Sequence, residues 1–154
     1  MRSKLIAILC LTIFLCALVT GCNSGEDGTI DVPIKILTDK KVVAVAFELL
    51  YDPLVLEAVS VDKSTLATGA DAAYDKSTPG VLLIVVTNAE KLDRDGTLVV
   101  ARFNIVDETG SSDLTIDFKA AEDADTREAL PFEVSGGRFD ATDMSVEPPV
   151  ITLG

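Results

Sequence analysis

The chain has 154 residues, with 13 basic and 25 acidic side chains and a net charge of −12 at pH 7. So acidic a surface excludes nucleic acid as a partner, because phosphates demand stripes of Lys and Arg. Histidine and tryptophan are both absent, which removes Ser-His-Asp and Cys-His catalysis and imidazole-ligated metals.

The chain opens with Arg2 and Lys4, followed over residues 5–19 by an unbroken, mostly apolar run. That run is shorter than the roughly 20 residues a bilayer-spanning helix needs. A basic start, a short apolar middle and small residues at its end describe a secretory signal peptide over residues 1–21. Its ending, "LVTGC", resembles the bacterial lipobox: Val19, Thr20 and Gly21 precede Cys22, whose thiol would carry a diacylglyceryl group. Cys16 follows Leu15 and lacks that context. Two acyl chains give stable membrane attachment where one does not. Cleavage before Cys22 removes Cys10 and Cys16, so the exported domain carries neither a free thiol nor a disulfide. With Arg2 and Lys4 gone, 11 basic residues face 25 acidic ones, a net charge of −14 over 133 residues. The expected location is outside the cytoplasmic membrane, anchored by lipid at the bacterial cell envelope.

Residues 22–28, "CNSGEDG", form the lipidated cysteine and a polar tether. "TIDVPIKI" (29–36) then alternates, with Ile30, Val32, Ile34 and Ile36 on one face, and Pro33 places it at a sheet edge. "VVAVAFELLY" (42–51) puts Val43, Val45, Phe47, Leu49 and Tyr51 inward and Ala44, Ala46 and Glu48 outward. Asp52-Pro53 is a turn, after which "LVLEAVSV" (54–61) resumes the strand pattern. Residues 63–79 read as a long loop with room for one short strand, and "VLLIVVT" (81–87) as a central strand. Asp95-Gly96 turns into "TLVVARFNIVD" (97–107), and "LTIDFK" (114–119) alternates again. "LPFEVSGGRFDA" (130–141) supplies one or two short strands around a Gly-Gly bend. Seven or more strands at this spacing, without a sustained helical period after the signal, indicate an all-β, two-sheet sandwich over residues 29–142. Residues 143–154, with Pro148 and Pro149, read as a C-terminal tail, either an added strand or a stiff segment pairing with a neighbour.

The order of these segments resembles the cohesin domain of cellulosome scaffolds. The likeness is carried by "TIDVPIKI", by "VAFELLYDPLVLEAVSV" with Tyr51-Asp52-Pro53 and Leu56-Glu57, by "LLIVVT", and by the Asp95-Gly96 turn into "TLVVARFNI". "TGSSDLTIDF" and "LPFEVSGGRF" complete it, so the match runs from residue 29 to 139. The resemblance implies a jelly-roll β-sandwich, related to carbohydrate-binding modules, whose open sheet face binds a dockerin. A dockerin is a small calcium-dependent helical module, and in cellulosomes it belongs to enzymes of polysaccharide breakdown. In that family, two outward positions before the Phe hold Asn and Asp that hydrogen-bond the dockerin. Here they are Ala44 and Ala46, which offer no side-chain hydrogen bond. Glu48, Thr87 and Asn88 remain as polar candidates on or beside that face.

Two acidic clusters invite a calcium reading. "DRDGT" (93–97) fails the EF-hand register: with Gly96 at position six, Lys91 and Arg102 would fall where oxygen ligands are required. Glu122, Asp123 and Asp125 are oxygen donors at short spacing, and they stand as weak calcium candidates in a solvated acidic loop. No resident cofactor, and no catalysis, is expected. Two rival readings stand: a structural role in an envelope assembly, and a carbohydrate-binding module, which requires an exposed ring, for which Tyr74 is the candidate. Polysaccharide contact would otherwise be indirect, through the partner.

Overall fold

Burial of apolar side chains at alternate positions organises the whole domain. The computed structural model describes residues 28–154, apart from the side chains of residues 88–91. The expected signal peptide, Cys22 and nearly all of the tether lie outside the described residues. Eleven strands are present: β1 (Thr29–Thr38), β2 (Val42–Leu50), β3 (Leu56–Lys63), β4 (Asp71–Asp75), β5 (Val81–Leu92), β6 (Gly96–Ile105), β7 (Ser111–Asp123), β8 (Phe132–Ser135), β9 (Gly137–Asp140), β10 (Ser145–Glu147) and β11 (Val150–Leu153). They form a five-stranded sheet, β3-β6-β1-β11-β8, and a six-stranded sheet, β10-β9-β7-β2-β5-β4. The chain passes back and forth between the two, which gives an all-β sandwich. No helix among the described residues is long and apolar enough to cross a membrane.

The core lies between the sheets. Ile34 and Ile36 of β1, Phe47 and Leu49 of β2, Ile84 of β5, Phe103 of β6, Leu114 of β7 and Phe139 of β9 are fully buried. Tyr51 meets Phe103 edge-on, with ring centroids 5.0 Å apart. Among the described residues the two buried polar side chains, Ser112 and Thr38, are satisfied, Thr38 Oγ1 by the Lys40 amide at 3.1 Å. Ser112 accepts the Asp52 amide at 2.9 Å and donates to the Asp113 carbonyl at 3.0 Å. Thr38 donates its amide to Asp95 Oδ1 at 2.8 Å, so Asp95 ties the turn before β6 to the end of β1. The Asp52-Pro53 turn closes with Asp52 Oδ1 accepting the Leu54 amide at 2.9 Å.

Three expectations are corrected. Pro33 does not lie on an edge strand, since β1 sits between β6 and β11. Pairing with β11 begins only at Lys35, whose amide donates to the Pro149 carbonyl. Pro33 lies two residues earlier on the same side, so its missing N–H deprives no ladder of a bond. Val43 is not buried with Val45, because the register of β2 shifts between Val42 and Ala44 and Val42 takes the inward place. The sandwich also does not end at residue 142. β10 pairs with β9, and β11 inserts between β1, in parallel, and β8.

The terminal pairing explains the Gly-Gly bend. β8 belongs to one sheet and β9 to the other, so the chain crosses at Gly136 and Gly137. A Cβ on Gly137 would overlap the Glu147 carbonyl oxygen, so the returning chain needs glycine there. Within β11, Ile151 is fully buried and Leu153 nearly so. Ile151→Ala should therefore cost about 2–5 kcal/mol in urea unfolding, as for a core isoleucine. A residue in a detached tail would lose almost nothing.

Candidate functional site

The outward surface of the six-stranded sheet follows from register. β2 is paired antiparallel with β5 on one side and β7 on the other, and β4 extends the sheet beyond β5. Because Val45, Phe47 and Leu49 point inward, Ala44, Ala46 and Glu48 must point outward. Cross-strand partners then set the outward side chains in rows. The first row reads Glu122, Ala44, Thr87, Asp71 and the second Ala120, Ala46, Val85, Ala73. The third reads Asp117, Glu48, Leu83, Asp75. The middle of the face is small and apolar, and its margins are acidic.

A shallow depression of about 90 Å³ lies at Ala44, Ala46, Val85, Ala120 and Glu122. Another of about 100 Å³ is lined by Glu48, Asp75, Ser77, Thr78, Val81 and Leu83. Lys119, at a bulge of β7, bridges the margin: its Nζ lies 2.6 Å from Asp117 and 3.1 Å from Glu48. Hydrogen bonding to Asp117, and then to Glu48, raises the Lys119 pKa above its ordinary value. Asp75 is held below the usual carboxyl value because it accepts the Ser77 amide at 2.8 Å.

The predicted face residues Ala44, Ala46, Glu48 and Thr87 therefore share one surface. The backbone of Asn88 belongs to β5, and its side chain lies outside the described residues. Sequence reasoning missed Ala73, Asp71 and Asp75, because β4 falls in the segment read mainly as loop. It missed Leu83 and Val85 because an all-apolar strand hides which alternate positions face out. Ala120 is placed by the bulge at Lys119, which no alternation pattern signals.

The calcium candidates do not converge. Glu122 pairs with Arg127 at 3.2 Å, and Asp125 with Lys41 at 3.2 Å. Asp123 Oδ1 accepts the amides of Asp125 and Thr126 at 2.8 and 2.9 Å. Among the described residues, no three His, Cys, Asp or Glu side chains are grouped as metal ligands would be. Tyr74 is 42% exposed, but it shares the inward side of β4 with Ala72, opposite the site face. A wider cavity, about 470 Å³, lies away from the face, against Tyr51, Pro53, Leu56, Lys76 and Pro79. Lys76 donates there to the Ala58 carbonyl, and the neighbouring Glu57 accepts from Asn104.

Against known proteins, the cohesin domain family matches residues 17–151. The chain belongs to the cohesin family. Solved cohesins share its fold. A non-cellulosomal cohesin from the archaeon Archaeoglobus fulgidus is 19% identical, with 82% of this chain and 80% of that one covered and a TM-score of 0.52. A type I cohesin from Pseudobacteroides cellulosolvens is 14% identical, with 82% of each chain covered and a TM-score of 0.56. A type I cohesin–dockerin complex from Clostridium thermocellum contains a chain 14% identical, with 81% of this chain and 87% of that one covered and a TM-score of 0.52. No match was found among curated proteins.

The acidic loop at the end of β7 carries a pH signature. The amides of Thr126 and then Asp125 hold the Asp123 carboxyl below its ordinary 3.8. A depressed carboxyl stabilises the fold above its unfolded pKa and ceases to do so as pH falls through the folded value. Asp123→Ala should lower the melting temperature at neutral pH, and the gap from the parent chain should close only below about pH 3.8. Thermal melts across the acid range measure that gap.

Proposed function

We propose that this chain is a docking module, tethered by lipid at Cys22 to the bacterial cell envelope, which holds a dockerin-bearing protein on the outward face of β7, β2, β5 and β4. The observation that carries the reading is the coincidence of a cohesin match over residues 17–151 with one open, apolar-centred sheet face. The related complex from Clostridium thermocellum pairs a cohesin with a dockerin, and that pairing is what we extend to this chain. The lipobox-like "LVTGC" supports the anchor and the export that precedes it. Enzymes of polysaccharide breakdown are the proposed cargo, held near the cell at raised effective concentration. The module captures and does not catalyse.

Calcium enters on the partner's side only. Immobilised chain should retain calcium-loaded dockerin modules and release them in EDTA, while its own melting temperature stays the same with calcium or EDTA. Failure to retain any calcium-loaded dockerin at micromolar concentration would overturn the docking reading. For the anchor, cells fed labelled palmitate should yield labelled protein, and Cys22→Ala should lose the label. An unmodified amino terminus on the parent protein would refute it.

A further inference from the structure

We infer that the free edge of β8 takes up an extended segment of another protein as a sixth strand of the five-stranded sheet, and that this segment reads apolar, basic, apolar where it meets Phe132, Glu133 and Val134. The site lies on the opposite sheet from the proposed docking face and stands whether or not a dockerin binds there. β8 ends its sheet, with β11 paired antiparallel on its one occupied side. The Gly154 amide donates to the Pro131 carbonyl, so 131/154, 133/152 and 135/150 are the pairs whose backbone groups face each other. The N–H and C=O groups of Phe132 and Val134 therefore point away from β11 and have no partner among the described residues. That leaves two donors and two acceptors in a row along a strand whose residues are all exposed.

Side chains add to this template. Phe132 and Val134 stand opposite Leu153 and Ile151 and share their core-facing side. Leu153 and Ile151 are buried, whereas Phe132 is 49% and Val134 41% exposed, because β8 has no neighbour on its far side. The Phe118 ring stacks on one face of Phe132 and leaves the backbone edge open. A depression of about 240 Å³ beside Phe132, lined also by Pro131, Glu133, Thr152 and Gly154, gives an incoming apolar side chain room. The other edge of this sheet is blunted: β3 is bulged between Ala58 and Ser60, and Lys76 donates to the Ala58 carbonyl at 3.2 Å. β8 has no bulge, proline or lysine. Its one charge, Glu133, lies on the outer side and enters no ion pair among the described residues, so it favours a basic side chain opposite. A second copy is the wrong occupant. Pairing Phe132 with Val134 of another copy sets Glu133 against Glu133, and like charges directly opposite destabilise a strand pair.

The test uses isotope-labelled chain from Cys22 onward, under reducing conditions, and two capped peptides, Thr-Val-Lys-Val-Thr and Thr-Val-Glu-Val-Thr. At saturating lysine peptide, NMR should show the Phe132 and Val134 amides exchanging at least ~5-fold more slowly. The amides of Glu133 and Ser135, which already face β11, should change by less than ~2-fold. The glutamate peptide should bind at least ~10-fold more weakly, and Glu133→Lys should reverse that order. Val134→Lys should abolish binding of the lysine peptide, with thermal melts establishing that each variant is folded. Unchanged exchange at Phe132 and Val134, or equal effects of the two peptides, would overturn the inference. So would a dimer of the chain alone that Val134→Lys returns to monomer, since a second copy would then occupy the edge.

Discussion

The two-residue period of β2, clamped between β5 and β7, is the constraint from which the rest follows. Phe47 is fully buried between the sheets, with Val45 and Leu49 beside it on the same face. A slip of one residue would bury Glu48 and expose Phe47, at a cost far above that of any surface contact. Both neighbouring strands adjust to β2 through register shifts, at Val42/Ala44 and at Ala46/Phe47. The outward positions of Ala44, Ala46 and Glu48 are thus dictated by the core. The face is a by-product of packing that selection can alter residue by residue without disturbing the fold.

The two sheets treat their outer faces differently. On the five-stranded sheet, Arg102 reaches Asp31 with two hydrogen bonds of 2.8 and 3.1 Å, and Asn104 donates to Glu57 at 3.2 Å. Polar side chains there find partners across neighbouring strands. On the six-stranded sheet, polar groups stand at the margins and leave a strip of methyl groups between them. Exposed pairs of this kind add little stability, so the contrast bears on which face can bind. The edge strands follow the usual protective pattern: β10 and β4 are short, and exposed Phe132 on β8 stacks on Phe118 with centroids 4.1 Å apart.

Much of this architecture is legible in the amino-acid sequence where one face of a strand is buried and the other wet. The alternation of 29–36 and 114–119 is of that kind, and both segments are strands with the expected residues inward. Legibility fails where tertiary neighbours decide. Pro33 marks an edge in isolation, yet it sits in an interior strand because its neighbour β11 starts two residues later. Residues 145–153 look like a tail because Pro148 and Pro149 interrupt them, but Val150 to Leu153 fill a slot between β1 and β8 that no local pattern announces. On the site, Ala44, Ala46 and Glu48 are readable from alternation alone, whereas Thr87 is signalled only as the polar residue that follows an all-apolar run. Asp71, Ala73 and Asp75 are not, since five residues with a single large apolar side chain give too weak a strand signal.

Acidity connects these features to the proposed anchor. Residues 23–28 reach roughly 20 Å when extended, about two Debye lengths at physiological salt. Cleaved before Cys22 as proposed, the chain would carry a net charge of −14, which anionic headgroups would repel. At that distance the membrane's field is largely screened, while the rim around Ala46 acts on whatever arrives within a few ångströms. On the proposed anchoring, the same excess of carboxylates would repel anionic lipid and favour basic protein surfaces. Substituting Asn and Asp, as the family pattern has them, for Ala44 and Ala46 would add hydrogen bonds to the centre. With alanine at both positions, the centre of the face has no side-chain hydrogen bond to offer, and any polar contact on it must come from its margins.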